Sequence, residues 1–190
     1  MENLININET FEKIIKIKER VANKEFEDCV FEQCDFSDSD FQFNTFQDCK
    51  FVNCNLSMLI LANSSLKTVE FINCKLLGID FSKCTDFLFE VSFQDCILDY
   101  AVFAYKKMPK TNFGACSMKE VNFVGTNLTN SNFENCNLEN AIFNETILAG
   151  ANFTSATNYK IDPEFNPMKK AKFATAGILG LLEKYDIRIE

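Results

Sequence analysis

The nine cysteines are the residues of this chain with the widest range of possible chemistry, because thiolates bind metals, form disulfides and act as nucleophiles. They are Cys29, Cys34, Cys49, Cys54, Cys74, Cys84, Cys96, Cys116 and Cys136. The nearest two are five residues apart, so there is no Cys-x-x-Cys pair, and the chain has no histidine to complete a zinc site. We therefore expect buried, reduced thiols that fill a core, a role that free cysteine suits.

The remaining residue types do not form a recognisable catalytic site. With no histidine, no glycine-rich phosphate loop and no nucleophile–base pair at a known spacing, the sequence does not meet the requirements of an active site. We expect no enzymatic activity, no catalytic residue, no cofactor and no metal.

The carboxylates are unevenly distributed. The net charge is −8, and one stretch contains eight acidic residues without a single lysine or arginine: Glu25, Glu27, Asp28, Glu32, Asp35, Asp38, Asp40 and Asp48. Nucleic-acid binders usually carry the opposite charge, so direct binding to DNA or RNA is not expected. Two interpretations stay open, an acidic face that contacts a protein partner as a decoy for DNA, or a solvated surface that keeps the protein soluble.

A five-residue repeat must position these side chains. Every fifth residue is large and apolar, with one two-residue slip after Phe81 at which Asp86 breaks the pattern and Leu88 restarts it. The positions are Phe26, Phe31, Phe36, Phe41, Phe46, Phe51, Leu56, Leu61, Leu66, Phe71, Leu76 and Phe81, then Leu88, Phe93, Leu98, Phe103, Met108, Phe113, Met118, Phe123, Leu128, Phe133, Leu138, Phe143, Leu148 and Phe153. A period of five fits neither a helix nor a strand, so it indicates a coil that turns a corner every five residues.

The cysteines indicate how many pentads make one coil. Cys34, Cys54 and Cys74 are spaced by twenty residues, as are Cys96, Cys116 and Cys136, and most of the other residues two places before each apolar centre are also small. One large and one small side chain per pentad fill a narrow tube without voids. The spacing predicts four pentads per coil and roughly seven coils, stacked about 4.8 Å apart.

These pentads resemble the pentapeptide-repeat family, whose unit reads small, Asn or Asp, Leu or Phe, polar, any. Ala151-Asn152-Phe153-Thr154, Ser131-Asn132-Phe133 and Thr126-Asn127-Leu128-Thr129 match it closely. The resemblance implies an all-β fold, a right-handed quadrilateral parallel β-helix with a short N-terminal cap and a C-terminal helix and strand tail.

We divide the chain into three segments. Residues 1–23 are expected to cap the first coil, as a short helix begun by Asn8 or Thr10 or as a strand at Ile15 to Ile17. Residues 24–158 form the β-helix, with the phase slip at 82–88, where we expect Phe87 or Phe89 to fold over the bulge. Residues 159–190 form a capping and dimerisation tail, with a helix over 171–184 and a strand over 185–189.

The basic run 105–110 is interpreted as a solvated corner rather than a contact point. No apolar run reaches the length of a membrane span, and the N-terminus lacks a signal-type pattern. We therefore expect a cytoplasmic protein that does not enter a membrane.

The tail carries a narrower resemblance. Asn158-Tyr159-Lys160-Ile161-Asp162-Pro163, Lys169-Lys170-Ala171-Lys172-Phe173 and Gly180-Leu181-Leu182 are similar to the C-terminal cap of the quinolone-resistance pentapeptide proteins of the Qnr and MfpA type. That resemblance implies a homodimer joined through the tail, which binds the type II topoisomerases DNA gyrase and topoisomerase IV by DNA mimicry. The candidate dimer contacts are Ile178, Leu181, Leu182, Ile187 and Ile189.

One feature limits this resemblance. Many Qnr proteins carry longer loops tied to drug protection, whereas this chain has only the two-residue slip and is nearer the loop-less MfpA pattern. The alternative function is a general pentapeptide-repeat scaffold for protein–protein interaction with no topoisomerase role. A continuous acidic stripe on one face favours the first function, and scattered acids favour the second.

Overall fold

The computed structural model describes residues 5–188, and these form one right-handed β-helix of about eight coils. Each coil has four faces, numbered 1 to 4 in chain order. Faces 1 and 2 carry the regular strands, while faces 3 and 4 are joined by single bridges such as Ile15 to Asp35 and Arg20 to Asp40. The predicted fold class is confirmed.

The strands are short and lie in two parallel sheets. Face 1 holds β1 (Ile5–Ile7), β3 (Glu25–Glu27), β5 (Thr45–Gln47) and β7 (Ser65–Lys67). Face 2 holds β2 (Thr10–Glu12), β4 (Val30–Glu32), β6 (Lys50–Val52), β8 (Val69–Ile72), β9 (Val91–Gln94), β10 (Asn112–Gly114), β11 (Asn132–Glu134), β12 (Asn152–Phe153) and β13 (Lys172–Phe173).

The corners explain why the strands end after two to four residues. The residue two places after each apolar centre usually has a positive φ, as at Asn23 (60°), Asp28 (52°) and Asp48 (53°). This left-handed conformation turns the chain through a corner, and asparagine, aspartate and glycine adopt it most readily. The five-residue period is therefore a strand segment plus one corner.

Ring stacking and small side chains fill the core. The Phe31 and Phe51 rings on adjacent coils are 4.5 Å apart with an interplanar angle of 7°. The small residues two places before each centre bind the previous coil, as when the Ser64 hydroxyl donates to the Phe41 carbonyl over 2.6 Å. All nine cysteines are free and buried, which confirms their predicted packing role. Burial raises the pKa of the Cys34 and Cys49 thiols to about 11.

The described part of the N-terminal segment forms a further coil of the β-helix. Neither the short helix expected to begin at Asn8 or Thr10 nor the strand expected at residues 15–17 is present in that part. β1 and β2 pair in register with β3 and β4, with Ile5 beside Glu25 and Phe11 beside Phe31. Ile15 makes a single bridge. The apolar spacing of this segment is too sparse to reveal the repeat, because Lys16 occupies an apolar-centre position.

The phase slip is confirmed, but the prediction that the apolar pattern restarts at Leu88 is wrong. Leu88 is 62% exposed and has a φ of 57°, so it forms the corner, and Phe89 turns inward with 7% exposure. β9 then pairs with β8 with Phe71 beside Phe93, a spacing of 22 residues instead of 20. The two extra residues therefore lie just after Asp86, and they interrupt the hydrogen-bonded ladder of face 1 after β7. One of the two suspect aromatic residues, Phe89, folds over the bulge as predicted, while Phe87 is 73% exposed.

The tail differs from its predicted elements. The stacked coils continue to β13, and the helix expected over 171–184 is reduced to α1 (Leu179–Leu182), flanked by 3-10 turns at Thr175–Gly177 and Glu183–Tyr185. The predicted strand is absent from 185–188, because Tyr185 ends a 3-10 turn and Asp186 adopts a left-handed conformation with a φ of 49°. Ile189 lies outside the described residues.

Candidate functional site

Four of the eight candidate acidic residues lie together on face 1. Glu25 and Glu27 flank the inward Phe26 in β3, so their side chains alternate outward. Asp28 follows at the corner, and Asp48 lies beside it because Glu27 pairs with Gln47 on the next coil. Glu25, Glu27, Asp28 and Asp48 are exposed and, within residues 5–188, take part in no ion pair. We call these four residues the face-1 acidic cluster.

The other four candidates lie on the remaining faces of the same coil. Glu32 is in β4 on face 2, Asp35 and Asp38 are on face 3 and its corner, and Asp40 is on face 4. Successive pentads turn successive corners, so acidic residues close in sequence surround the rod. The eight carboxylates therefore form a ring near the N-terminal end instead of one stripe along a face.

Two members of the ring have structural partners. Burial opposes ionisation of Asp35, but hydrogen bonds from the Ser37 hydroxyl (2.6 Å), the Ser37 amide (3.0 Å) and Asn55 (3.1 Å) outweigh it and lower the pKa of Asp35. Asp40 accepts from the Gln42 amide and pairs with Arg20 at 3.4 Å. These two carboxylates stabilise corners, whereas the face-1 acidic cluster gathers four carboxylates that have no ion-pair partner among residues 5–188.

The candidate dimer residues lie around α1 at the opposite end of the rod. Ile178 and Ile187 are 42% and 57% exposed, while Leu182 is half-buried and Leu181 packs against the core. A groove of about 890 Å³ runs along the junction of this segment with the preceding coil and is lined by residues that include Tyr159, Leu179, Leu182 and Ile187. The structure thus brings four of the five candidates to one end, with two of them facing outward.

Ion pairs hold the C-terminal segment to the rod. The Lys184 ammonium lies 2.6 Å from Asp162 and 2.8 Å from Glu164, and the Tyr185 hydroxyl donates to Glu164 over 3.0 Å. Hydrogen bonding from Lys184 lowers the pKa of both carboxyl groups. For Lys184 itself, desolvation is outweighed by the two carboxylates, so its pKa is raised. We call Asp162, Glu164, Lys184 and Tyr185 the tail latch.

Lys106 is buried, whereas the sequence placed it wrongly on a solvated corner. It is 1% exposed, and its ammonium donates to the Cys84 carbonyl and, over 2.7 Å, to Asp86. The same ammonium lies 4.8 Å from the centre of the Phe89 ring. Lys106 therefore braces the slip from inside. The sequence contained a signal of this burial. Lys106 occupies a position that usually holds a small inward residue, and it lies twenty residues after Asp86, the residue that breaks the apolar pattern.

Beside the slip, a groove of about 450 Å³ is lined by residues that include Phe89, Met108 and Pro109. Among residues 5–188, no group of three or more histidine, cysteine, aspartate or glutamate side chains could hold a metal ion. Over the same range, no helix has the length and apolar character needed to cross a bilayer.

Comparison with known proteins agrees with this geometry. A model described as a pentapeptide repeat region matches residues 24–103, and a model of eight pentapeptide repeats matches residues 96–135 and 131–157. The chain belongs to the pentapeptide-repeat family.

Particular solved structures share its fold. Two trypsin-treated forms of QnrB1, a plasmid-mediated fluoroquinolone resistance protein, align with TM-scores of 0.67 and 0.69 at 17% and 18% identity. Each alignment covers 95% of this chain, with 100% of the first structure and 99% of the second. Full-length QnrB1 aligns with a TM-score of 0.61 at 18% identity over 94% of this chain and all of that one. No curated protein matches this chain with significance.

Proposed function

We propose that this chain is a non-enzymatic binding protein, and that its partner is a type II topoisomerase, which accepts the acidic end of the rod in place of duplex DNA. The observation that carries the proposal is the face-1 acidic cluster, where Glu25, Glu27, Asp28 and Asp48 project from two adjacent coils without an ion-pair partner in the described structure. Duplex DNA presents about one charge per 1.7 Å of its axis, and coils repeat about every 4.8 Å. Three acids on one coil and one on the next thus give a charge density of the same order.

Dimerisation through the tail belongs to the same proposal. Two copies joined at α1 place an acidic ring at each outer end of a double-length rod, and the exposed Ile178 and Ile187 supply the apolar contact. Substituting both with glutamate should abolish the tail-mediated dimer in sedimentation experiments at physiological salt. A matched control replaces Ile97 and Ile142, which are similarly exposed on faces 3 and 4, and should leave the dimer intact.

The partner is tested by direct binding. Purified gyrase and topoisomerase IV are immobilised, and the protein is titrated with and without duplex DNA. We expect saturable binding that duplex DNA displaces. Binding that DNA does not affect would contradict mimicry, and absence of binding to both enzymes would remove the topoisomerase function.

The second candidate function is a general interaction scaffold. The specific observation in its favour is the ring, because eight acids spread over four faces do not make the single stripe expected of a mimic. Under this function the partner is another protein, and we place either activity in the cytoplasm, where free cysteines stay reduced.

A further inference from the structure

Face 1 carries opposite charges at its two ends and an apolar protrusion between them. The face-1 acidic cluster lies near the N-terminal end, whereas Lys107, Lys110, Lys169 and Lys170 lie on the C-terminal half. Leu148 and Gly150 donate to the carbonyls of Pro167 and Lys169, so Lys169 and Lys170 continue this face on the last coil. Phe87 and Leu88, 73% and 62% exposed, protrude midway.

From this distribution we propose that face 1 is a self-association surface, on which a second copy of the chain lies antiparallel. The inference does not rest on the topoisomerase function, and it uses a different surface from the tail dimer. In this arrangement the two-fold axis is parallel to the strands. Each pentad position therefore lies opposite the same position of the other copy, and the coils of the two copies follow each other in opposite order. With the axis between the coils of Phe87 and Pro109, Glu27 faces Lys169 and Asp28 faces Lys170.

The same register matches the centre of the face. The coil that carries Asp86, Phe87 and Glu90 faces the coil that carries Lys107, Pro109 and Lys110, so acids meet lysines and Phe87 meets Pro109 beside the 450 Å³ groove. The remaining charged residues of the face-1 acidic cluster and β7 are Glu25, Asp48 and Lys67, which oppose Pro167, Gly150 and Thr129. No like charges of face 1 oppose each other.

Neighbouring registers lack this complementarity. A shift by one coil in one direction sets Lys67 opposite the coil of Lys107 and Lys110, which is repulsive, and leaves Lys169 opposite Ile7. A shift in the other direction sets the coil of Lys107 and Lys110 opposite itself, which is also repulsive. The charges therefore select one register as well as the antiparallel direction.

The size of the face limits the strength of the association. Eight coils by four residues measure about 38 Å by about 12 Å, or about 450 Å² per copy. This is below the roughly 800 Å² per partner of a stable complex, so the contact is weak and sensitive to salt.

Charge-swap variants test the proposal. One variant carries Glu27→Lys and Asp28→Lys, and the other carries Lys169→Glu and Lys170→Glu. Each alone sets like charges opposite each other at both ends, so sedimentation velocity at low salt should show association weakened at least tenfold, because four attractive contacts between the two copies become repulsive. An equimolar mixture of the two variants restores every pair, as does the chain carrying both swaps, so both should associate like the original.

Carbodiimide cross-linking locates the contact. A mixture of nitrogen-15-labelled and unlabelled chains should yield mixed-isotope peptides that join Glu27 or Asp28 to Lys169 or Lys170. Phe87→Ser should weaken association, whereas Leu77→Ser on face 3 should not. The proposal would be overturned if the charge swaps did not change the association, or if the intermolecular cross-links joined only tail residues.

Discussion

At the residue scale, the slip depends on one buried lysine. Its ammonium replaces the backbone donors that the interrupted ladder of face 1 no longer supplies, and it satisfies the carbonyl of Cys84 and the carboxylate of Asp86. A lysine is almost never fully buried without such partners. The bulge is therefore an internally braced feature, which keeps Phe87 and Leu88 in place on the surface.

The first prediction concerns this brace. Lys106→Met should lower the free energy of unfolding by about 1–3 kcal/mol, because it leaves the buried Cys84 carbonyl unsatisfied, while the ion pair itself contributes less owing to the exposure of Asp86. Urea unfolding measures the loss. The control, Lys107→Met at the exposed neighbour, should stay within about 0.5 kcal/mol, and equal losses in both variants would contradict the role of Lys106.

The second prediction concerns a corner glycine. Gly125 has a φ of 66°, and a Cβ there would overlap the Tyr105 ring that lies across it. Gly125→Ala should destabilise the fold by about 1–2 kcal/mol from the left-handed backbone alone, with an added loss from the overlap. In a Tyr105→Ala background only the backbone loss should remain. An unchanged effect in that background would show that the ring does not contribute.

The apolar positions were largely predictable because the repeat is local, and the stacked rings follow directly from it. Leu88 and Lys106 were assigned wrongly for one physical reason. A bulge changes which residues face inward, and only the three-dimensional path shows that Phe89 turns in while Leu88 forms a corner.

At the element scale, the tail latch connects pH to the position of α1. The Asp162 and Glu164 pKa values are lowered, so their contribution is present above the ordinary carboxyl pKa and is lost as pH falls through the lowered values. The Lys184 pKa is raised, so its contribution is present below the ordinary lysine pKa and is lost at more alkaline pH. The latch should hold between about pH 4 and about pH 10.

Hydrogen exchange provides the third prediction. After correction for the intrinsic effect of pH, residues 174–188 should lose protection as pH falls below about 4, while strands β4 and β6 keep theirs. Lys184→Met should show low protection of that segment already at neutral pH. Retention of full protection in that variant would mean that apolar packing, not the latch, holds the segment.

The tail elements were less predictable than the coils. An apolar run such as Ile178 to Leu182 fits a helix of any length, and the sequence does not show that β13 extends the sheet to residue 173. The N-terminal coil was missed for a related reason, since Lys16 breaks the apolar pattern although the backbone pairs normally with the next coil.

At the scale of the whole molecule, the fold converts a local sequence cluster into a ring. Acids within 24 residues of chain surround the N-terminal coils, as the positions of Glu25, Glu32, Asp35 and Asp40 show. The sequence revealed their number but not their directions, because the faces depend on the corners. The outer surface then offers an acidic end, an apolar protrusion and a tail as separate contact regions.

The most direct test of the proposed function is a gyrase supercoiling titration with three proteins. The original chain is compared with Glu25→Gln, Glu27→Gln and Asp28→Gln combined, and with a control of equal charge change, Glu120→Gln, Glu134→Gln and Glu145→Gln combined, on the other half of the rod. We predict inhibition at low micromolar concentration by the original chain and by the control, and loss of inhibition in the first triple variant. Equal inhibition by all three proteins, or none by the original chain at tens of micromolar, would contradict the proposal that the acidic end binds the topoisomerase.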